Sequence, residues 1–276
     1  MRKHTLITAA LIIILFLSNI RSIAQNFYIE TSIGGSYNLL PKNIGNNYDF
    51  NSYMDGLTKD GDIGNGSFRS GVNYNLSLGY KISNHFSGEL GVSYLDGNSK
   101  QSNQGSTFYS KWYGQMTCLT SILKYSLKTR LFTPYIKEGI DVKIDGNITH
   151  SFQFSSGGSP LGTDFYHTTT YYGGNSIGFL SSIGCDIKLV DNFTTFIEFL
   201  IIIQNWEPSH SESSFGGGVV GTGTINYLNN ASPYFNYNTN QPSIAPTYNN
   251  PFSCWGFNIG VKYNFGKKKG DEKKTE

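Results

Sequence analysis

Charge is scarce in this chain. Asp, Glu, Lys and Arg make up 14% of its 276 residues, against about 25% in ordinary soluble domains. Neither sign dominates: with the first 24 residues set aside, 18 basic residues face 19 acidic ones, which gives no basic footprint for nucleic acid. Three cysteines, Cys118, Cys185 and Cys254, are too few and too scattered for a disulfide framework or a zinc site. An odd count leaves at least one unpaired, and Cys118 and Cys185 fall in strand-like runs where a thiol acts as a small apolar group. Long hydrophobic runs are missing as well. The runs at 6–17 and 199–203 are both short of the roughly 20 residues that a spanning helix needs.

The residues of a catalytic or metal site are equally sparse. Beyond residue 24 the histidines are His85, in a turn, and His150, His167 and His210, in or beside long loops. None has metal-pair spacing, and no Gly-x-Ser-x-Gly or phosphate loop occurs. Ser209-His210-Ser211-Glu212 contains the residue types of a lipid hydrolase, but composition without geometry carries little weight. The expectation is a protein that is not an enzyme, with no catalytic, cofactor-binding or metal-binding residue.

What the chain does contain is an export signal followed by repeated alternation. Arg2 and Lys3 precede the apolar stretch 6–17, and Ser22-Ile23-Ala24 offers small residues for cleavage before Gln25. Residues 1–24 therefore read as a secretory signal peptide. In the last strand-like run, Trp255, Phe257, Ile259, Val261, Tyr263 and Phe265 alternate with Gly256, Asn258, Gly260, Lys262 and Asn264. Consecutive residues of a strand point to opposite faces, so one face is apolar and aromatic and the other small or polar. Seven earlier segments repeat the pattern. They start near Phe27, Val72, Phe86, Trp112, Pro134, Ile177 and Phe193. Glu138 breaks the rule by sharing the apolar parity of its segment; it lies either near the periplasmic interface or beside a bulge.

Connection length alternates too. Segments two and three, four and five, and six and seven are joined by a few residues. The other four connections are long and rich in Gly, Asn, Ser and aromatics, the longest spanning 206–253. Short periplasmic turns opposite long external loops, with an even strand count, describe an eight-stranded, antiparallel, up-and-down transmembrane β-barrel in the outer membrane. The barrel occupies 25–265, and 266–276 form a charged periplasmic tail.

The charges on the polar parity then point inward. They are Glu30, Lys81, Glu89, Lys137, Asp141, Lys143, Asp186, Lys188, Glu198 and Lys262. With strands one and eight adjacent, Glu30 and Lys262 can pair. Buried charges must be paired, and eight strands leave a lumen that side chains fill, so the expectation is a structural charge network. Trp255, Phe257, Tyr263 and Phe265 are the aromatics of the closing strand and its lipid interface.

The segments Gly-Val-Lys-Tyr-Asn-Phe at 260–265, Thr-Pro-Tyr-Ile at 133–136 and Phe-Ile-Glu-Phe at 196–199 resemble the small outer-membrane β-barrel family of Gram-negative bacteria, the OmpA transmembrane domain and OmpX-like group. The resemblance spans essentially 25–265. It implies outer-membrane lipid as surroundings, a closing strand that engages the barrel assembly machinery, and no cofactor. Phe265 is not terminal here, and the tail is too short for a peptidoglycan-binding domain, so a wall-anchoring role does not carry over. Function narrows to a structural or surface-interaction role through the long external loops, with an unknown extracellular ligand or protein as partner. A small passive channel is one alternative. Another is a soluble lipocalin-like binder, whose faces would be reversed: apolar lumen, polar outside.

Overall fold

The computed structural model describes residues 26–39, 42–43, 65–104, 108–129, 132–154, 164–217, 221–228, 243–246 and 250–265. The expected signal segment and tail lie outside them. Eight strands carry the fold: β1 (Phe27–Asn38), β2 (Gly71–Lys81), β3 (Phe86–Gly97), β4 (Phe108–Ser126), β5 (Phe132–Phe154), β6 (Ile177–Lys188), β7 (Phe193–Trp206) and β8 (Cys254–Asn264). Each pairs antiparallel with its neighbour in sequence. The ring closes where β8 meets β1, with Ile33 opposite Ile259 and Glu30 opposite Lys262. Closure leaves the barrel no open edge strand.

The alternation maps onto the wall. Ile33, Leu76, Leu90, Leu123, Ile140, Phe179, Ile197 and Ile259 are all exposed on the outside, while Tyr28, Glu30, Glu89, Lys124, Lys137, Asp186, Glu198 and Lys262 are buried within. A lipocalin-like arrangement requires the opposite and is excluded. At one end the turns are tight: Ile82 and Ser83 both donate backbone N–H groups to the Phe86 carbonyl, and Leu189 and Val190 to that of Phe193.

Inside, three glycines make room for rings on the neighbouring strand. Gly79 lies opposite Tyr28, Gly184 opposite Tyr135 and Gly260 opposite Phe196. A Cβ at any of them would fall within 2.5 Å of its ring. The rings thus lie flat over bare backbone, which narrows the lumen without widening the wall.

β4 and β5, of 19 and 23 residues, far exceed the 9–11 residues a membrane-crossing strand needs. Their excess rises beyond the barrel and seeds an external sheet. Phe165–Tyr172 pairs with β5, His210–Gly217 with Phe165–Tyr172, and Gly221–Leu228 with His210–Gly217, all antiparallel. Ser243–Pro246 then adds in parallel, and Lys100–Gln104 pairs with β4 on the other side. Much of what reads in the sequence as long loop is therefore strand. Among the described residues the register slips once, between Thr117 and Cys118 of β4, where Ile144 of β5 is the extra residue. Glu138 is not at a bulge. It sits in unbroken register opposite Leu123 and Ser181, faces outward between Ile136 and Ile140, and accepts a hydrogen bond from Ser181 Oγ at 2.8 Å.

Candidate functional site

The lower lumen, toward the short turns, is filled by one ionic cluster. Lys137 Nζ on β5 contacts Glu30 of β1, Glu89 of β3 at 3.1 Å and Glu198 of β7 at 3.2 Å. Lys124 on β4 lies 3.3 Å from Asp186 and 3.8 Å from Glu30, and Lys262 on β8 also binds Asp186. The rings described above complete the lining. Tyr28 donates its hydroxyl to Glu89 at 2.6 Å, Tyr135 donates to Glu198 at 3.2 Å, and Lys124 Nζ sits 3.6 Å above the Tyr135 ring. Four carboxylates and three ammonium groups thus bridge the lumen between strands that are not neighbours.

Above this cluster the barrel mouth is plugged by two connecting segments. Phe68 N–H and Ser67 Oγ both donate to the Pro251 carbonyl, at 2.9 and 3.1 Å, and Phe252 N–H donates to the Gln204 carbonyl at 3.0 Å. Phe68 and Phe252 are buried with Leu95, Trp112, Met116, Ile148, Tyr171 and Trp206 in one apolar cluster. Arg69 reaches down from the same segment to Asp141 at 2.6 Å and to Gln204. Both members of the Arg69–Asp141 pair are almost fully buried.

Of the inward charges expected from parity, Glu30, Glu89, Lys137, Asp186, Glu198 and Lys262 gather in the lower cluster and Asp141 in the upper pair. Lys143 instead faces the rim of the plug, donating to the Gly173 carbonyl at 3.1 Å and lying 4.7 Å from the Trp206 ring. Two expectations need correction. Lys81 and Lys188 have inward parity but stand exposed at the turn end, where Lys81 donates to Asn264 Oδ1 at 2.7 Å and Lys188 pairs with Asp191 at 3.0 Å. Height along the strand, which parity does not encode, takes them out of the lumen. Glu30 and Lys262 are in register, but the ion pairs they form run to Lys137 and Lys124, and to Asp186. Sequence reasoning passed over Lys124, whose polar parity was the available signal, and Arg69, which lies in a connection with no periodicity to read. Cys118, Cys185 and Cys254 are free thiols.

Outside, Trp255 stacks on Tyr37 at 4.9 Å, Phe257 packs on Phe199 at 5.2 Å, Tyr263 on Phe193 at 4.9 Å and Phe265 edge-on to Tyr263 at 5.3 Å. These rings bracket the apolar belt. Ser209 Oγ lies 3.1 Å from His210 Nδ1, while Glu212 is exposed on the external sheet. No cluster of His, Cys, Asp and Glu suited to a metal occurs among the described residues.

The external sheet has two unlike faces. Inward, His150 stacks on Trp112 at 3.8 Å and hydrogen-bonds Ser110 at 2.9 Å, and His167 packs edge-on against Phe152 at 4.7 Å. Burial pushes His150 down to about 3, helped by the nearby His167, and His167 down to about 4. Outward, Thr149 lies beside Thr170 and Ser151 beside Thr168, with hydroxyls 3.4 and 3.2 Å apart.

No family model matches the sequence, and no curated protein matches it. Among solved structures, the chain is similar to the Neisserial surface protein A (12% identity, 86% of this chain and 96% of that one, TM-score 0.37). A major outer membrane protein of Thermus thermophilus matches at 10% identity, over 86% and 98% of the chains, with a TM-score of 0.47. Acinetobacter baumannii CarO2 matches at 10% identity over the same shares, with a TM-score of 0.33. The membrane setting rests on the barrel's own surface. A ring of exposed Ile, Leu, Val and Phe, interrupted at Glu138, is costly in water and fits hydrocarbon, where closure pairs the backbone groups of the strands. With an ionic cluster sealed in its lumen, an apolar outer wall, and short turns and long strands at opposite ends, the chain has the fold of a small outer-membrane β-barrel.

Proposed function

We propose that this protein is a sealed membrane anchor that presents its external sheet as a contact surface at the cell exterior. The observation that carries this reading is the pairing of a filled lumen with strands that extend well past the membrane. Lys137 among three carboxylates, and Phe68, Arg69 and Phe252 above it, leave the lumen to side chains. The excess length of β4 and β5 serves only structure outside the bilayer. A passive channel is the weaker reading, because it needs both the ionic cluster and the mouth segments to move.

The test compares cells displaying the full chain with cells displaying a variant in which residues 210–228 are replaced by a short Gly-Ser linker. Plates coated with extracellular-matrix protein or with polysaccharide are the targets. Deletion should abolish retention on the plates while the extracted barrel still shifts in SDS gels on boiling. Retention that survives the deletion overturns the reading. So does steady single-channel conductance of the purified intact protein. A deletion that extended to Pro251 would be a poor test, since Asn250 is buried and the Pro251 carbonyl holds Ser67 and Phe68.

A further inference from the structure

We propose that the outward face of the external sheet binds an uncharged polysaccharide. The proposal deepens the contact-surface reading and rests on it. Pairing aligns two ranks of polar side chains across four strands, Thr149, Thr170, Glu212 and Thr224 in one, and Ser151, Thr168, Ser214 and Thr222 in the other, with a hydroxyl at every position except Glu212. Neighbouring strands lie about 4.8 Å apart and alternate residues of a strand about 6.7 Å apart, so the hydroxyls form a lattice with spacings on the scale of one sugar ring.

Three properties of the face select the ligand class. The first is charge. At the outward positions within 109–115, 147–153, 166–172, 210–214 and 222–226, Lys111 and Glu212 are the charged side chains, whereas exposed protein surface generally carries about 25–35% charge. A neutral polymer loses little solvation on such a surface, while an acidic one finds no basic cluster to hold it. The second is hydrogen-bonding type. Each hydroxyl both donates and accepts, which matches the hydroxyls of a sugar and does not require an ionised partner. A protein partner would instead favour an apolar centre with aromatic and Arg anchors, whereas the two ranks hold neither Arg nor a large aliphatic side chain, and tyrosines stand only at their margins. The third is aromatic placement. Tyr166 is 46% exposed at the upper margin, and at the lower margin the Tyr172 ring stacks on His210 at 5.6 Å. Tyrosine presents an apolar ring with a polar tip, suited to the apolar face of a sugar.

The face is also pre-formed. Its opposite side buries Ile148, Phe152, His167, Thr169 and Tyr171, so the side chains that display the lattice stand on a packed support, and little ordering cost attends binding. A polymer laid along the ranks contacts several repeats at once, and linked weak contacts reinforce one another.

The experiment uses the full chain in detergent and a panel of immobilised dextran, starch, mannan and galactan, with alginate and heparin as acidic controls. Retention on at least one neutral polysaccharide and not on the acidic pair is expected. The triple variant Thr149→Val, Thr168→Val, Thr170→Val keeps shape and strand preference but removes hydroxyls, and should weaken retention at least tenfold. Thr168→Ser with Thr170→Ser should restore it, and Tyr166→Ala should weaken it without altering the gel shift of the barrel. Absence of retention on every neutral polysaccharide overturns the proposal, as does retention unchanged by the valine variant. If the 210–228 replacement still abolishes adhesion to protein-coated plates in that case, the contact-surface reading survives and the glycan assignment alone fails. If that replacement also changes nothing, both fall.

Discussion

Lys137 shows how one side chain holds three strands that never touch. Its ammonium meets Glu30, Glu89 and Glu198 from β1, β3 and β7. Removing one partner from a buried ionic group typically costs about 3–5 kcal/mol, because the remaining charges lose their compensation. Lys137→Met should therefore lower barrel stability by roughly that amount, measured as the urea midpoint of refolding into lipid vesicles; an unchanged midpoint would show that the carboxylates find other partners. Glu138 presents the converse case. Its carboxylate faces the apolar belt with Ser181 as its hydrogen-bond donor, and lipid-facing charge destabilises β-barrels, less for Glu than for Lys or Arg. Glu138→Leu should stabilise the barrel by roughly 1–2 kcal/mol in the same assay. Parity alone made Glu138 conspicuous in the sequence. Lys137 looked like any other inward charge, because its three partners come from distant stretches of chain.

At the scale of elements, β4 and β5 divide into a membrane half and an external half with different chemistry. Their external halves, with Phe165–Tyr172 and His210–Gly217, pack His150 against Trp112 and bury His167 against Phe152. Both histidines are held below the ordinary value of about 6.5, at about 3 and about 4. Folded, they resist protonation; unfolded, they accept a proton below pH 6.5. The external sheet therefore keeps its full stability above pH 6.5 and loses up to about 1.4 kcal/mol per histidine for each unit below it, until the folded values are reached. Amide protection factors, which divide out the slower chemical exchange in acid, should be much lower at residues 148–152 and 165–172 at pH 4.5 than at pH 7.5, while β1 and β8 stay protected; equal protection factors would refute the assignment. A second weak point joins this sheet to the barrel. Gly173 and Gly174 both have positive φ, at 68° and 67°, and a Cβ at Gly174 would collide with the Glu207 carbonyl. A side chain there is strained by backbone conformation and by space together. Gly174→Ala should raise the protease sensitivity of the external strands without loss of the barrel's gel shift.

As a whole molecule the protein is a barrel closed twice, by ions below and by an apolar plug above. The Arg69–Asp141 pair ties the plug to the wall. Arg69→Ala leaves Asp141 uncompensated in the mouth and should loosen residues 67–70 and 250–253, yet the lower cluster should still seal the lumen. The expected outcome in planar bilayers is no steady conductance from either the intact protein or Arg69→Ala, with conductance appearing only when Lys137→Met is combined with it. Steady conductance of Arg69→Ala alone would show that the plug is the sole barrier. Strand count, the apolar outside, the charged inside and the end that carries the long connections were all legible in the chain, because period-two patterning and turn spacing are local properties. The remaining features arose from contacts between distant segments. Closure chose the ion-pair partners across the lumen, strand height moved Lys81 and Lys188 to the rim, and Arg69 entered the mouth from a connection with no period of its own. The external sheet is likewise a matter of long-range pairing, and its register, which no single stretch of chain encodes, is what brings the threonine ranks into line.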